Sequence, residues 1–157
     1  MISHLLELNM IENNDVTSYR IKVVESDKEI LSTYSVMKSL RENLKRKNYI
    51  NSLRLQQKEG FKIVMLAAKD KVKAVGGFRI LNNLGRGKFL YVDDLVTKPE
   101  DRSKGYGSLL FDWLKKYANE NECNQVVLDS GVQRFGAHKF YLEKGMKIVG
   151  HHFAMDV

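Results

Sequence analysis

Tyr91-Val-Asp-Asp-Leu-Val-Thr97 is followed by Lys98-Pro-Glu-Asp101 and Arg102-Ser-Lys-Gly105-Tyr-Gly107, then runs directly into Ser108-Leu-Leu-Phe-Asp-Trp113. The β-branched and aromatic run reads as a strand, and Pro99, which cannot donate to a ladder, ends it. Gly105 and Gly107 let a bulky anion approach the backbone without a Cβ in the way. Behind them Leu109, Leu110, Trp113, Leu114, Tyr117 and Ala118 recur at helical spacing, so one face of a helix is buried and its N-terminus is fixed. A fixed N-terminus offers backbone N–H donors, here from residues 103–107, and a dipole worth about 0.3–1 kcal/mol to a nearby anion. The expected ligand is a phosphate. Ser108 and Leu109 do not complete a P-loop, and no third glycine completes a dinucleotide-binding fingerprint.

Arg102-x-x-Gly105-x-Gly107 after a Leu-Val-Thr strand end resembles the acetyl-coenzyme A signature of the GNAT superfamily, the general N-acetyltransferase fold. A second block resembles the next strand and helix of that family: Asn124-Gln-Val-Val-Leu-Asp129-Ser-Gly, then Gly136-Ala-His-Lys-Phe-Tyr141-Leu-Glu-Lys-Gly145-Met. The two blocks cover about residues 87–150 in the family's order.

Outward from these blocks, strands and helices alternate. Tyr19 to Val24 reads as a strand, and Asp27 is expected to cap a helix carrying Leu31, Tyr34, Met37 and Leu40. A second helix is expected over about residues 49–58, ending at Gly60. Phe61 to Leu66 and Val72 to Phe78 read as a hairpin turning at Asp70-Lys71, and residues 82–87 as the next turn. Final strands are expected over about 147–149 and 152–156. The expectation is a single α/β (α+β) domain over residues 1–157, with residues 1–16 unassigned. Its mixed sheet has about six to seven strands with helices on both faces, in the order β-α-α-β-β-β-α-β-α-β-β, which is the order the resemblance implies.

The chain has 157 residues, a length that suits one domain able to bury a core without staples. Cys123 is the single cysteine, so no internal disulfide forms, and it reads as a bystander before a strand. Met1-Ile-Ser-His-Leu-Leu-Glu-Leu lacks the basic start and apolar run of a signal peptide, and no apolar run approaches the ~20 residues of a membrane span. A cytoplasmic protein that does not enter membranes is expected.

Charge is uneven. The net charge is +7 overall, while Lys38, Arg41, Lys45, Arg46, Lys47, Arg54, Lys58 and Lys62 stand against only Glu42 and Glu59. Two readings of this basic stretch are open, a solvated helix face or a surface for an acidic acceptor. A basic nucleic-acid-binding module is the rival class, although no recognised nucleic-acid motif accompanies the charge. A coenzyme A-binding protein without transferase activity is a third reading.

The resemblance implies an N-acetyltransferase that uses acetyl-coenzyme A as donor and a primary amine of a small molecule or protein as acceptor, by direct attack in a ternary complex and without a metal. It places the thioester where Leu95-Val96-Thr97 splays from Val126–Leu128, and the pyrophosphate on Arg102, Ser103, Lys104, Gly105, Tyr106, Gly107 and Ser108. Arg134 stands where the family often has an Asn that contacts the pantetheine arm. Tyr141 matches the tyrosine beside the coenzyme's sulfur, and a phenol with a pKa of ~10 suits protonation of a departing thiolate. Asp93 is preferred as the base. Asp94, adjacent on the strand, is expected to point to the opposite face, so only one of the two meets the substrate, and Asp94 stays open as the base or as a substrate-binding residue. Asp129, at the end of the next strand, either holds the incoming ammonium by charge or caps the following turn. His138, His151 and His152 show no zinc spacing. A homodimer is left open.

Overall fold

A computed structural model describes residues 18–157; the readings of Met1–Leu8 and of segment 1–16 lie outside the described residues. The described chain divides after Val127 into two compact units.

In the first unit the chain runs through β1 (Tyr19–Val23), α1 (Asp27–Lys38), α2 (Arg46–Lys58), β2 (Lys62–Ala68), β3 (Lys71–Asn83), β4 (Gly87–Thr97), a short 3-10 turn at Pro99–Asp101, α3 (Tyr106–Glu120) and the start of β5 (Gln125–Leu128). The sheet order is β1-β2-β3-β4-β5. β1 to β4 pair antiparallel, whereas β4 reaches β5 through α3, the kind of connection that parallel neighbours require. Among the described residues five strands form, fewer than the six to seven expected.

Alternation along the strands sends side chains to two layers. Ile63, Met65, Val75 and Val96 join Ile30, Val36, Met37, Tyr49 and Leu53 of α1 and α2 in one core. On the other face Phe78, fully buried, meets Trp113 and Tyr117 of α3 edge-on at 6.1 and 5.1 Å. The helices therefore cover both faces.

Local chemistry sets the ends of the helices. Ser26, not Asp27, caps α1: its hydroxyl accepts from Glu29 N–H, and the Glu29 carboxylate accepts from Ser26 N–H. This reciprocal pair suits a Ser followed three residues later by Glu, and Asp27 begins the first turn instead. α2 ends as its sequence predicts. Gly60 takes φ +85°, with its N–H on the Gln57 carbonyl and the Phe61 N–H on the Gln56 carbonyl, which satisfies two orphan acceptors. The β2–β3 turn sits one residue early, with Lys69 and Asp70 both at positive φ.

The second unit holds the end of β5 and α4 (Phe135–Glu143). Residues 147–157 form no strand, so the two final strands of the expected order are absent. Ile148, Val149, Phe153 and Met155 are exposed: these segments carry β-prone residues but no ladder partner, and propensity without pairing does not make a strand.

Candidate active site

The stop at Pro99 is built as expected and held by a contact that the motif does not announce. Asp101, 5% exposed, accepts from the ammonium groups of Lys73 on β3 at 2.9 Å and of Lys104 at 3.1 Å. Burial works to raise its pKa, but the two ammonium groups outweigh that and hold it below the usual carboxylate range. Lys98 N–H also donates to the Lys73 carbonyl at 2.8 Å, so the segment between β4 and α3 is tied to β3 by side chain and backbone.

Beyond this clamp Arg102, Ser103, Lys104 and Gly105 are exposed. Ser103 lies at φ 60° and Gly105 at φ 85°, a left-handed conformation that only glycine adopts without cost. Gly105 is the N-cap of α3, and no side chain caps the helix, so its first-turn N–H groups are left to water or a ligand. Gly107 serves packing as well as approach: a Cβ there would lie 3.0 Å from the Thr97 hydroxyl. Tyr106 is buried and Ser108 half-buried, while Lys104 is engaged with Asp101.

The carboxylates depart from expectation. Gly77 pairs with Asp94 but Phe78 pairs with Val92, so Asp93 is an extra residue in β4. Such a bulge interrupts alternation, and Asp93 and Asp94 both reach the face covered by α1 and α2. Arg79 Nε donates to the Asp93 carboxylate at 3.0 Å, and the same guanidinium lies 5.5 Å from the centre of the Phe61 ring. Phe61 in turn fits over Gly77, where a Cβ would come within 2.6 Å of the ring and 2.8 Å of the Asp94 carboxylate.

Asp94 is the more enclosed of the pair. Arg41, from the connector between α1 and α2, donates from Nε to its carboxylate at 2.7 Å and from a terminal nitrogen to the Asp93 carbonyl at 3.0 Å. Desolvation nevertheless dominates and raises Asp94 above its ordinary pKa, against the opposing pull of Arg41. Behind it Tyr49 is pushed up to about 12, first by burial, with the Thr33 hydroxyl acting the other way and the Asp94 charge adding to the rise. Thr33 is fully buried and shares a 2.8 Å hydrogen bond with Tyr49.

Half of the basic stretch is engaged in holding the fold. Lys38 donates to the carbonyls of Glu42 and Leu44, and Arg46 lies over the Tyr34 ring. Arg54 reaches Asp27 and the Glu25 carbonyl, and Arg41 grips the bulge. Lys45, Lys47, Lys58 and Lys62 are exposed.

In the second unit, Tyr141 lies on α4 with its ring edge-on to Phe140 at 5.4 Å. Desolvation raises its phenol, with the Arg134 guanidinium opposing. Arg134 is the N-cap of α4. His138 Nε2 is 2.9 Å from the Gly131 carbonyl, and Asp129 lies 3.5 Å from His152. Sequence reasoning missed Lys73, Asp101, Arg41 and Arg79. Asp101 carried the one available signal, an acid just after Pro99 beside a basic loop.

Among the described residues no group of His, Cys, Asp or Glu is arranged to hold a metal ion, and no helix is long and apolar enough to cross a membrane. The profile of the acetyltransferase (GNAT) family matches residues 28–146. An uncharacterized N-acetyltransferase of Bacillus subtilis, YhdJ, is 33% identical over 139 residues, 87% of this chain and 98% of its own length. An acetyltransferase of Trypanosoma brucei superposes with a TM-score of 0.74 at 19% identity, over 88% of this chain and 99% of that one. AAC(6')-Iy, in complex with a bisubstrate analog of coenzyme A and acetylneamine, superposes with a TM-score of 0.76 at 10% identity, over 88% of this chain and 97% of that one. With the glycine loop, the uncapped helix and the strand before them in place, this chain belongs to the acetyltransferase (GNAT) family.

Proposed function

We propose that this chain, acting as one domain, moves an acetyl group from acetyl-coenzyme A to a primary amine of a small molecule or protein by direct attack in a ternary complex. The observation that carries the reading is the uncapped N-terminus of α3, entered through exposed Gly105 in the left-handed region. These residues fit a pyrophosphate: apart from its own chain neighbours, nothing lies within 4 Å of where a Gly105 Cβ would be, and the first-turn donors lack side-chain caps. Residues 102–108 are assigned to the phosphates, Leu95, Val96, Thr97 and Arg134 to the rest of the coenzyme. Bound there, the coenzyme supplies an acetyl group activated as a thioester.

The chain's own part is to hold and move protons. A proton acceptor works best with a pKa raised toward neutrality. Desolvation moves Asp94 in that direction, and the preference moves from Asp93 to Asp94, with Asp93 pinned on Arg79 beside it. Asp129 is assigned to hold the ammonium by charge. The Tyr141 phenol keeps its proton at neutral pH and is assigned to deliver it to the departing sulfur.

Calorimetry with coenzyme A and a screen of amines for thiol release from acetyl-coenzyme A test the reading. Gly107→Glu should abolish coenzyme binding while the fold survives. A wild-type chain blind to coenzyme A at millimolar concentration would overturn the proposal, and salt-sensitive binding of DNA in its place would favour the nucleic-acid class.

A further inference from the structure

We infer that Arg41 is a positioning residue: from the α1–α2 connector, its single guanidinium holds both residues of the β4 bulge and keeps the Asp94 carboxylate ionised and aimed. This rests on the reading of Asp94 as proton acceptor. Arg41 spans 53 residues of sequence to bond the Asp94 carboxylate at 2.7 Å and the Asp93 carbonyl at 3.0 Å. The second bond matters because a bulge removes backbone groups from the ladder, and Arg41 supplies a donor to one of them. The planar guanidinium presents the two donors from one rigid fork.

The setting makes the guanidinium consequential. The Asp94 side chain is 13% exposed, whereas Arg41 is 53% exposed. An enclosed carboxylate is thus served by a cation that is largely in water and rests on a connector rather than within a helix. The charged and titratable groups around Asp94 come from four elements: Arg41 on the connector, Arg79 on β3, Asp93 on β4 and Tyr49 on α2. Arg79 is committed to Asp93, and the Asp93 charge opposes ionisation of its neighbour. Arg41 is therefore the group whose removal changes the charge state of Asp94 most directly. Because it lies on the connector, anything that reseats residues 39–45 alters the acidity of the carboxylate.

The test is the titration of the Asp94 side-chain carboxyl by carbon-detected NMR in the full chain, free of coenzyme and acceptor. Arg41→Gln should raise the midpoint by about one unit, the low end of the effect of a neighbouring opposite charge, because the guanidinium is partly in water. Arg41→Lys should restore part of the shift and not the bond to the Asp93 carbonyl. Guanidinium chloride added at low concentration to Arg41→Gln should bring the midpoint back relative to sodium chloride of equal ionic strength. A midpoint unmoved in Arg41→Gln, with an unchanged thermal melt, overturns the inference. Equal rescue by sodium also overturns it, since screening alone would then explain the shift. The measurement needs no turnover, so failure of the transferase reading shows separately, as absent thiol release.

Discussion

Replacing Asp101 by Asn should loosen the loop that enters α3 by an amount that the clamp's geometry bounds. The carboxylate is 5% exposed and meets Lys73, 18% exposed, and Lys104, 56% exposed. A hydrogen bond to a charged group contributes about 1.5–3 kcal/mol, and the exposed Lys104 arm about 0–1 kcal/mol. Asn keeps an acceptor but loses the charge, so the loss at neutral pH should be about 2–3 kcal/mol, which lowers Tm by roughly 5–10 °C in a chain of this size. The sign with pH follows from the direction of the shift. The folded pKa of Asp101 is depressed, so its stabilisation is present above the unfolded value of about 3.9 and disappears as pH falls through the lower folded value. Melts of the wild type and Asp101→Asn should therefore differ at pH 7 and begin to converge only as pH falls below about 4. A gap that persists undiminished at pH 3 would refute the charge argument, as would a neutral-pH shift under about 1 °C. Calorimetry should also show weaker coenzyme A binding in the variant, since residues 102–108 follow the clamp directly.

If Asp94 takes the proton, Asp94→Asn should lower turnover by about 10²–10⁴ and Asp93→Asn by less, in steady-state assays with the amine found by the screen; a larger loss in Asp93→Asn would return the role to its neighbour. The raised pKa of Asp94 means that its ionisation costs stability as pH rises above the unfolded value, so Asp94→Asn should melt no lower than the wild type at pH 8. Tyr141→Phe keeps the ring and removes the proton, so turnover should fall by about 10²–10⁴ with coenzyme affinity unchanged; near-full turnover would make the residue packing.

The helix after Gly105 was legible because its burial is periodic, and the end of α2 because Gly60 takes the conformation glycine is suited to. The capping of α1 was misread by one residue: Ser26 and Asp27 both qualify by type, and only the reciprocal bond to Glu29 decides between them. The two carboxylates were placed by counting along β4, and counting fails where a residue is inserted without a mark in the sequence. Lys73, Asp101, Arg41 and Arg79 stayed hidden because each acts on a partner 14 to 53 positions away. Ile148 and Val149 illustrate the converse, since their residue types favour a strand that does not form.

The bulge at Asp93 makes β4 unusually suited to a deletion. Removing that single residue would pair Val92 with Phe78 and Asp94 with Gly77 in unbroken succession, leaving Tyr91 and Val96 on the faces they already occupy. Most deletions inside a strand turn every later side chain to the wrong layer, whereas this one would make the ladder regular. The shortened chain should fold and keep Phe78 buried, yet lack the carboxylate that holds Arg79 and the carbonyl that holds Arg41. Circular dichroism and a thermal melt close to those of the parent, together with lost turnover, would show a sheet whose irregularity is kept for chemistry rather than for folding.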